Sequence, residues 1–145
     1  TNNTNINKTN NNQTNPILSE REREEMEKRE VLETYFYKKL SVERLKEEYP
    51  MKSECIDEIC AVILDTVCSR RKTIRIAGDD KPKEVVHSQF MKLDANHIRY
   101  VLSVLEQASN IRNTKQYLLA ALYNASLTMT NYYYLQHNNL IEERS

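Results

Sequence analysis

A chain of 145 residues with 21 Lys/Arg and 21 Asp/Glu has the size of one domain and no net charge. That balance excludes a global field drawing it to nucleic acid or to a membrane surface. No apolar run approaches the ~18 residues of a membrane span, and three cysteines, an odd number, point to reduced thiols in a cytoplasmic setting rather than a disulfide framework.

Residues 1–16 open with TNNTNINKTNNNQTN, too polar to bury the apolar surface that would offset the entropy of ordering it. They read as a disordered Asn/Thr-rich linker, and with threonine first the chain is expected to be a piece of a longer protein. The folding unit is expected over 17–137, with a tail at 138–145.

Ser19-Glu20-Arg21-Glu22 is a capping box, with Ser19 as N-cap and Glu22 reaching back. The helix it opens is polar all round until Val31, so its first half is expected to project into solvent. Val31, Leu32, Tyr35, Phe36 and Leu40 then form an apolar stripe. Ser41 restarts a helix carrying Val42, Leu45 and Tyr49, which Pro50 ends. Ser53 is the expected cap of the next helix, where Ile56, Ile59, Cys60, Ile63 and Val67 recur at helical spacing. This is the clearest amphipathic pattern in the chain and marks a central core helix ending near Ser69.

One stretch reads as extended. Thr73-Ile74-Arg75-Ile76-Ala77 alternates, and Gly78-Asp79-Asp80 is turn chemistry. Lys81 to Glu84 returns as a second short strand with Pro82 at the edge; the competing reading makes Asp80 the N-cap of a helix starting at Pro82. A hairpin around 73–84 is marginal alone and must lean on helices. Val86, Phe90 and Leu93 form a further helix face. Asp94 caps a helix with Ile98, Val101, Leu102 and Leu105, and Asn113 caps another with Leu118, Ala121 and Leu122 inward. Thr128 or Thr130 is placed to cap a last helix carrying Tyr132 to Leu135. The fold expected is mainly α, a small helical bundle with one short β-hairpin.

Chemistry-bearing patterns are few. Arg70, Arg71 and Lys72, with Arg75, Lys81 and Lys83, form a basic cluster suited to nucleic acid or an acidic partner. Basic residues at a helix C-terminus also simply offset its dipole, and both readings stand. Tyr132 and Tyr133 could stack on single-stranded bases or pack half-buried. Cys55, Cys60 and Cys68 share no tight helical face, His87, His97 and His137 are scattered, and no Cys-x-x-Cys occurs, so no metal site is expected. With no paired carboxylates and no nucleophile beside a base, a non-catalytic role without cofactor is expected.

Three words carry a family resemblance: DTVCSRRKTIRIAGDDKPKEVV from Asp65, HSQFMKLDANHIRYVL from His87 and NIRNTKQYLLAALYNA from Asn110. They resemble the C-terminal domain of plasmid replication initiators of the replication initiator protein A type from Gram-positive bacteria. That resemblance implies a DnaD-like helical domain preceded by a winged-helix DNA-binding domain, which would carry origin recognition and dimerisation. It implies a non-catalytic role coupling origin binding to recruitment of host replication proteins, a helicase loader or initiator in the primosome. An auxiliary DNA-binding role for the basic surface at 70–83 is the alternative. Where relatives often carry Lys-Ser-Arg-Phe, this chain has His87-Ser88-Gln89-Phe90, two positive charges fewer, which weakens a DNA-contact role for that helix.

Overall fold

The computed structural model describes residues 17–107 and 114–144, with side chains up to residue 129. The linker expected at 1–16 and the cap expected at Asn113 lie outside the described residues. The chain divides into two units, Thr1–Glu33 and Thr34–Ser145.

In the first unit the capping box forms as the sequence requires. The Ser19 N–H donates to Glu22 Oε1 at 3.0 Å and the Glu22 N–H donates to Ser19 Oγ at 3.1 Å. Together they satisfy two of the orphan donors that begin any helix. The helix they open, α1 (Glu20–Lys39), continues into the second unit.

The second unit is a small helical bundle carrying one antiparallel hairpin. After α1 come α2 (Val42–Glu48), a 3₁₀ turn (Pro50–Lys52) and α3 (Ser53–Val67). Ser41 separates α1 from α2 by taking a left-handed conformation, φ 52°, and it caps by backbone alone: the Leu45 N–H donates to its carbonyl at 2.9 Å, and its side chain makes no cap bond. Tyr49 leaves the helical region at φ −128°, because the ring of Pro50 disfavours α geometry in the residue before it. Ser53 is not the cap expected of it. Its φ −55°, ψ −42° are helical and Lys52 holds the cap position, since the 3₁₀ turn feeds straight into α3.

α3 buries Ile56, Ile59, Ile63 and Val67, as its periodicity requires, and also Val62, Leu64 and Thr66. A helix covered over so wide an arc is central. It packs against α2, α4 and α6.

The hairpin consists of β1 (Thr73–Ile76) and β2 (Asp79–Pro82), paired Thr73↔Pro82 through Ile76↔Asp79. Its loop is Ala77-Gly78, with φ 52° and 82°. Two consecutive positive φ values form the mirror-image turn whose twist matches the strands. Asp79 and Asp80 are therefore strand residues, not turn formers, and the second strand sits two residues earlier than the expected Lys81–Glu84. The two readings of 80–86 divide the segment between them: strand to Pro82, then α4 (Lys83–Phe90). The Lys83 N–H donates to the Lys72 carbonyl at 2.9 Å, which by alternation puts Pro82 at a non-hydrogen-bonded pair, where its missing N–H costs nothing.

α5 (Ala95–Gln107) starts on Asp94, whose Oδ1 accepts from the Asn96 and His97 N–H groups at 2.9 and 3.3 Å. α6 (Thr114–Arg144) is 31 residues of unbroken helix. No new helix starts at Thr128 or Thr130, and α6 passes through residue 138, the expected start of a tail. Neither Gly nor Pro lies within it to stop it. α6 packs against α3, α4, α5 and β1. The core is a continuous set of aliphatic side chains with Phe36, Phe90 and Tyr123. Leu40, Leu45, Ile59, Ile63, Val86, Phe90, Leu93, Val101 and Leu122 are wholly buried. Ile74 and Ile76 turn the inner face of the hairpin into that core, which is how a two-stranded ribbon persists. No described helix is long and apolar enough to cross a membrane.

Candidate functional site

The six basic residues of 70–83 are not one surface. Alternation along the hairpin sorts them. Thr73, Arg75, Asp80 and Pro82 share one face, while Ile74, Ile76, Asp79 and Lys81 share the other. Arg75 and Asp80 are directly opposite at a non-hydrogen-bonded pair, where side chains approach most closely. Arg75 Nη1 lies 3.1 Å from Asp80 Oδ1, with both side chains more than half exposed. On the other face Lys81 Nζ lies 3.2 Å from Asp79 Oδ2 and 5.2 Å from the centre of the Tyr123 ring. Tyr123 belongs to α6 and is buried. Lys81 thus ties the hairpin to α6 through the cation–π contact, with Asp79 of its own strand beside the ammonium, a structural use of a residue expected at a binding surface.

Arg70, Arg71 and Lys72 are exposed in the segment between α3 and β1. The Arg71 N–H donates to Ser69 Oγ at 3.2 Å. The backbone bond from Lys83 to Lys72 brings two like charges alongside each other, an arrangement that costs stability in a ribbon.

Arg71 and Arg75 meet again at an open cleft of about 260 Å³. Its walls come from the end of α3 (Asp65, Thr66, Ser69), from Ile74, and from the first turns of α6, where Lys115, Gln116 and Leu119 contribute. Lys115 is a third cation at this place. Nothing in the sequence marks it, because about forty residues separate it from Arg75 and only the packing of α6 on β1 brings them together.

The remaining candidates fall elsewhere. Tyr132 and Tyr133 lie on α6, but their side chains are outside the described residues. Gln89 Oε1 accepts from Ser126 Oγ at 3.2 Å. This residue of α4 is committed to α6. Cys55, Cys60 and Cys68 are free and half-buried. Burial pushes the Cys60 thiol up to about 11 and also raises that of Cys55, the opposite of what a reactive thiol needs. Among the described residues no group of His, Cys, Asp and Glu is placed to hold a metal ion. His97 is buried, with Nδ1 3.0 Å from both the Asp94 N–H nitrogen and Asp94 Oδ1, and Nε2 without a partner among the described residues. It belongs to the start of α5.

Other exposed charges are arranged in pairs between elements. Arg99 on α5 forks onto Glu48 at the end of α2, with Nε 2.8 Å from Oε1 and Nη2 3.1 Å from Oε2. These hydrogen bonds hold the Glu48 carboxyl below its ordinary range and raise Arg99 further. Lys46 Nζ meets Asp57 Oδ1 at 2.6 Å, and that hydrogen bond raises the lysine. Lys52 meets Glu106 at 2.6 Å.

Comparison with curated proteins and with solved structures gives no match. A family model described as Family of unknown function (DUF6017) matches residues 5–142. That span takes in every element of the bundle save the last two residues of α6, and the chain belongs to this family of unknown function.

Proposed function

We propose that this chain is the non-catalytic C-terminal domain of a plasmid replication initiator, coupling origin binding to recruitment of host replication proteins such as a helicase loader. One observation carries the reading. The three words that resemble the initiators supply much of the buried core, including Val67, Ile74, Ile76, Val86, Phe90, Leu93, Ile98, Leu102, Leu118 and Leu122. The likeness therefore lies in residues that specify a fold, not in a surface motif that recurs by chance. Interleaved charges outside the core suit a protein surface, where complementarity sets register and partner choice. The three unbridged thiols fit a reducing cytoplasm.

The test is direct binding of the purified chain to a purified helicase loader from a Gram-positive host, by calorimetry or surface plasmon resonance. A dissociation constant in the micromolar range, about −8 kcal/mol, is expected. Absence of binding up to about 1 mM for both loader and host initiator would remove recruitment from the proposal.

A second reading, auxiliary DNA binding by the 70–83 surface, is favoured by the meeting of Arg71 and Arg75 at one cleft. It predicts an affinity for oligonucleotides that falls steeply with salt. Of the six basic residues it draws least on Lys81, which is engaged with Asp79 and Tyr123.

A further inference from the structure

Arg71, Arg75 and Lys115 come from three separate stretches: the segment after α3, strand β1, and the first turn of α6. They line one open hollow of about 260 Å³. Like charges converge against their mutual repulsion here, and the fold does not require it. Arg71 and Lys115 are exposed and bear on no core position. Asp65 on the wall and Asp80 against Arg75 lower the sum of these charges from three to one. Asp80 holds one nitrogen of Arg75 at 3.1 Å, which aims the guanidinium and leaves its other donors to a ligand. Ser69 already accepts the Arg71 N–H through Oγ, so its hydroxyl hydrogen is available to donate. A lone carboxylate would satisfy one arginine fork and leave two cations unmatched, whereas a tetrahedral group with several anionic oxygens can engage all three. The size suits a phosphate with part of its ester, below the usual range for larger ligands.

We propose that this cleft is a subsite for a phosphate group, held by Arg71, Arg75 and Lys115 with Ser69 as hydroxyl donor. The phosphate would come from a nucleic-acid backbone or from a free nucleotide. The proposal rests on the second reading above for the choice of surface, and adds to it Lys115 and the chemistry recognised.

The experiment titrates the purified chain with a fluorescent oligothymidylate at graded salt, and separately with ATP and pyrophosphate by amide NMR. The Arg71→Ala, Lys115→Ala, Lys72→Ala and Lys83→Ala variants are compared, with circular dichroism confirming that each folds. Loss of oligothymidylate affinity by about tenfold in Arg71→Ala and Lys115→Ala, with the salt slope flattened by roughly 0.7 per lost contact, supports the cleft and a nucleic-acid source. Binding of ATP or pyrophosphate that Lys115→Ala abolishes, without oligonucleotide binding, supports the cleft with a free nucleotide as source and removes the DNA reading. Affinity lowered only by Lys72→Ala and Lys83→Ala overturns the cleft while the DNA reading survives. No binding of any phosphate ligand, or binding of a polyglutamate peptide alone, overturns the cleft.

Discussion

Ala77 and Gly78 show how much a single backbone angle can decide. Both have positive φ in the hairpin loop, and glycine is suited to it while alanine is not, since a Cβ in the left-handed region costs roughly 1–2 kcal/mol. Ala77→Asn restores the residue pair this turn prefers and is expected to raise stability by about 0.5–1 kcal/mol, seen as a higher midpoint in thermal unfolding. Gly78→Ala should lower it: no atom lies within 4 Å of an added Cβ, so the loss would come from φ alone. Sequence alone puts the turn one or two residues late, because Gly-Asp-Asp is turn chemistry by composition, while alanine gives no such signal. Only the strand register shows that Ile76 pairs with Asp79 and leaves Ala77 in the loop. Lys115 was hidden for a related reason. A charge carries no mark of what it will face across forty residues of intervening chain.

The elements were more legible than their junctions. Capping boxes and Asx caps act within three residues, so Ser19–Glu22 and Asp94 form as read. Ser19→Ala is expected to cost the first turn of α1 about 1 kcal/mol. Faster amide exchange confined to the opening residues of α1 would register this, with no shift in global unfolding. The end of α2 is tied to α5 by Glu48 and Arg99. Glu48 has a depressed folded pKa, so its contribution is fully present above the ordinary glutamate value near 4.5 and is lost as pH falls through the lower folded value. Wild-type protein is therefore expected to lose stability below about pH 4.5 more steeply than Glu48→Gln, and an NMR titration of the Glu48 carboxyl would show the midpoint below its usual place. Where the local code is weak the sequence misled: Ser53 is inside its helix, and Thr128 and Thr130 do not interrupt α6, because a hydroxyl caps only where the backbone already leaves the helix.

Within the second unit, one core joins the end of α1 from Thr34 on, α2–α6 and the hairpin. Phe90 sits in it with no exposed surface, on a helix that touches α3, α6 and both strands. Phe90→Ala is expected to cost about 3–5 kcal/mol, a large share of the ~5–15 kcal/mol that holds a domain together; urea unfolding would show it, and a change under about 1 kcal/mol would mean the core does not close around this ring. Apolar periodicity alone determined that the chain folds as a helical bundle with a short ribbon, because a helix or strand must bury its apolar face and the spacing of that face is written locally. The tertiary structure alone decided which cations share a surface. It turned Lys81 inward onto Tyr123, paired Arg75 with Asp80, and carried Lys115 to Arg71. Charges are solvated wherever the backbone leaves them, so their neighbours follow from packing made by other residues.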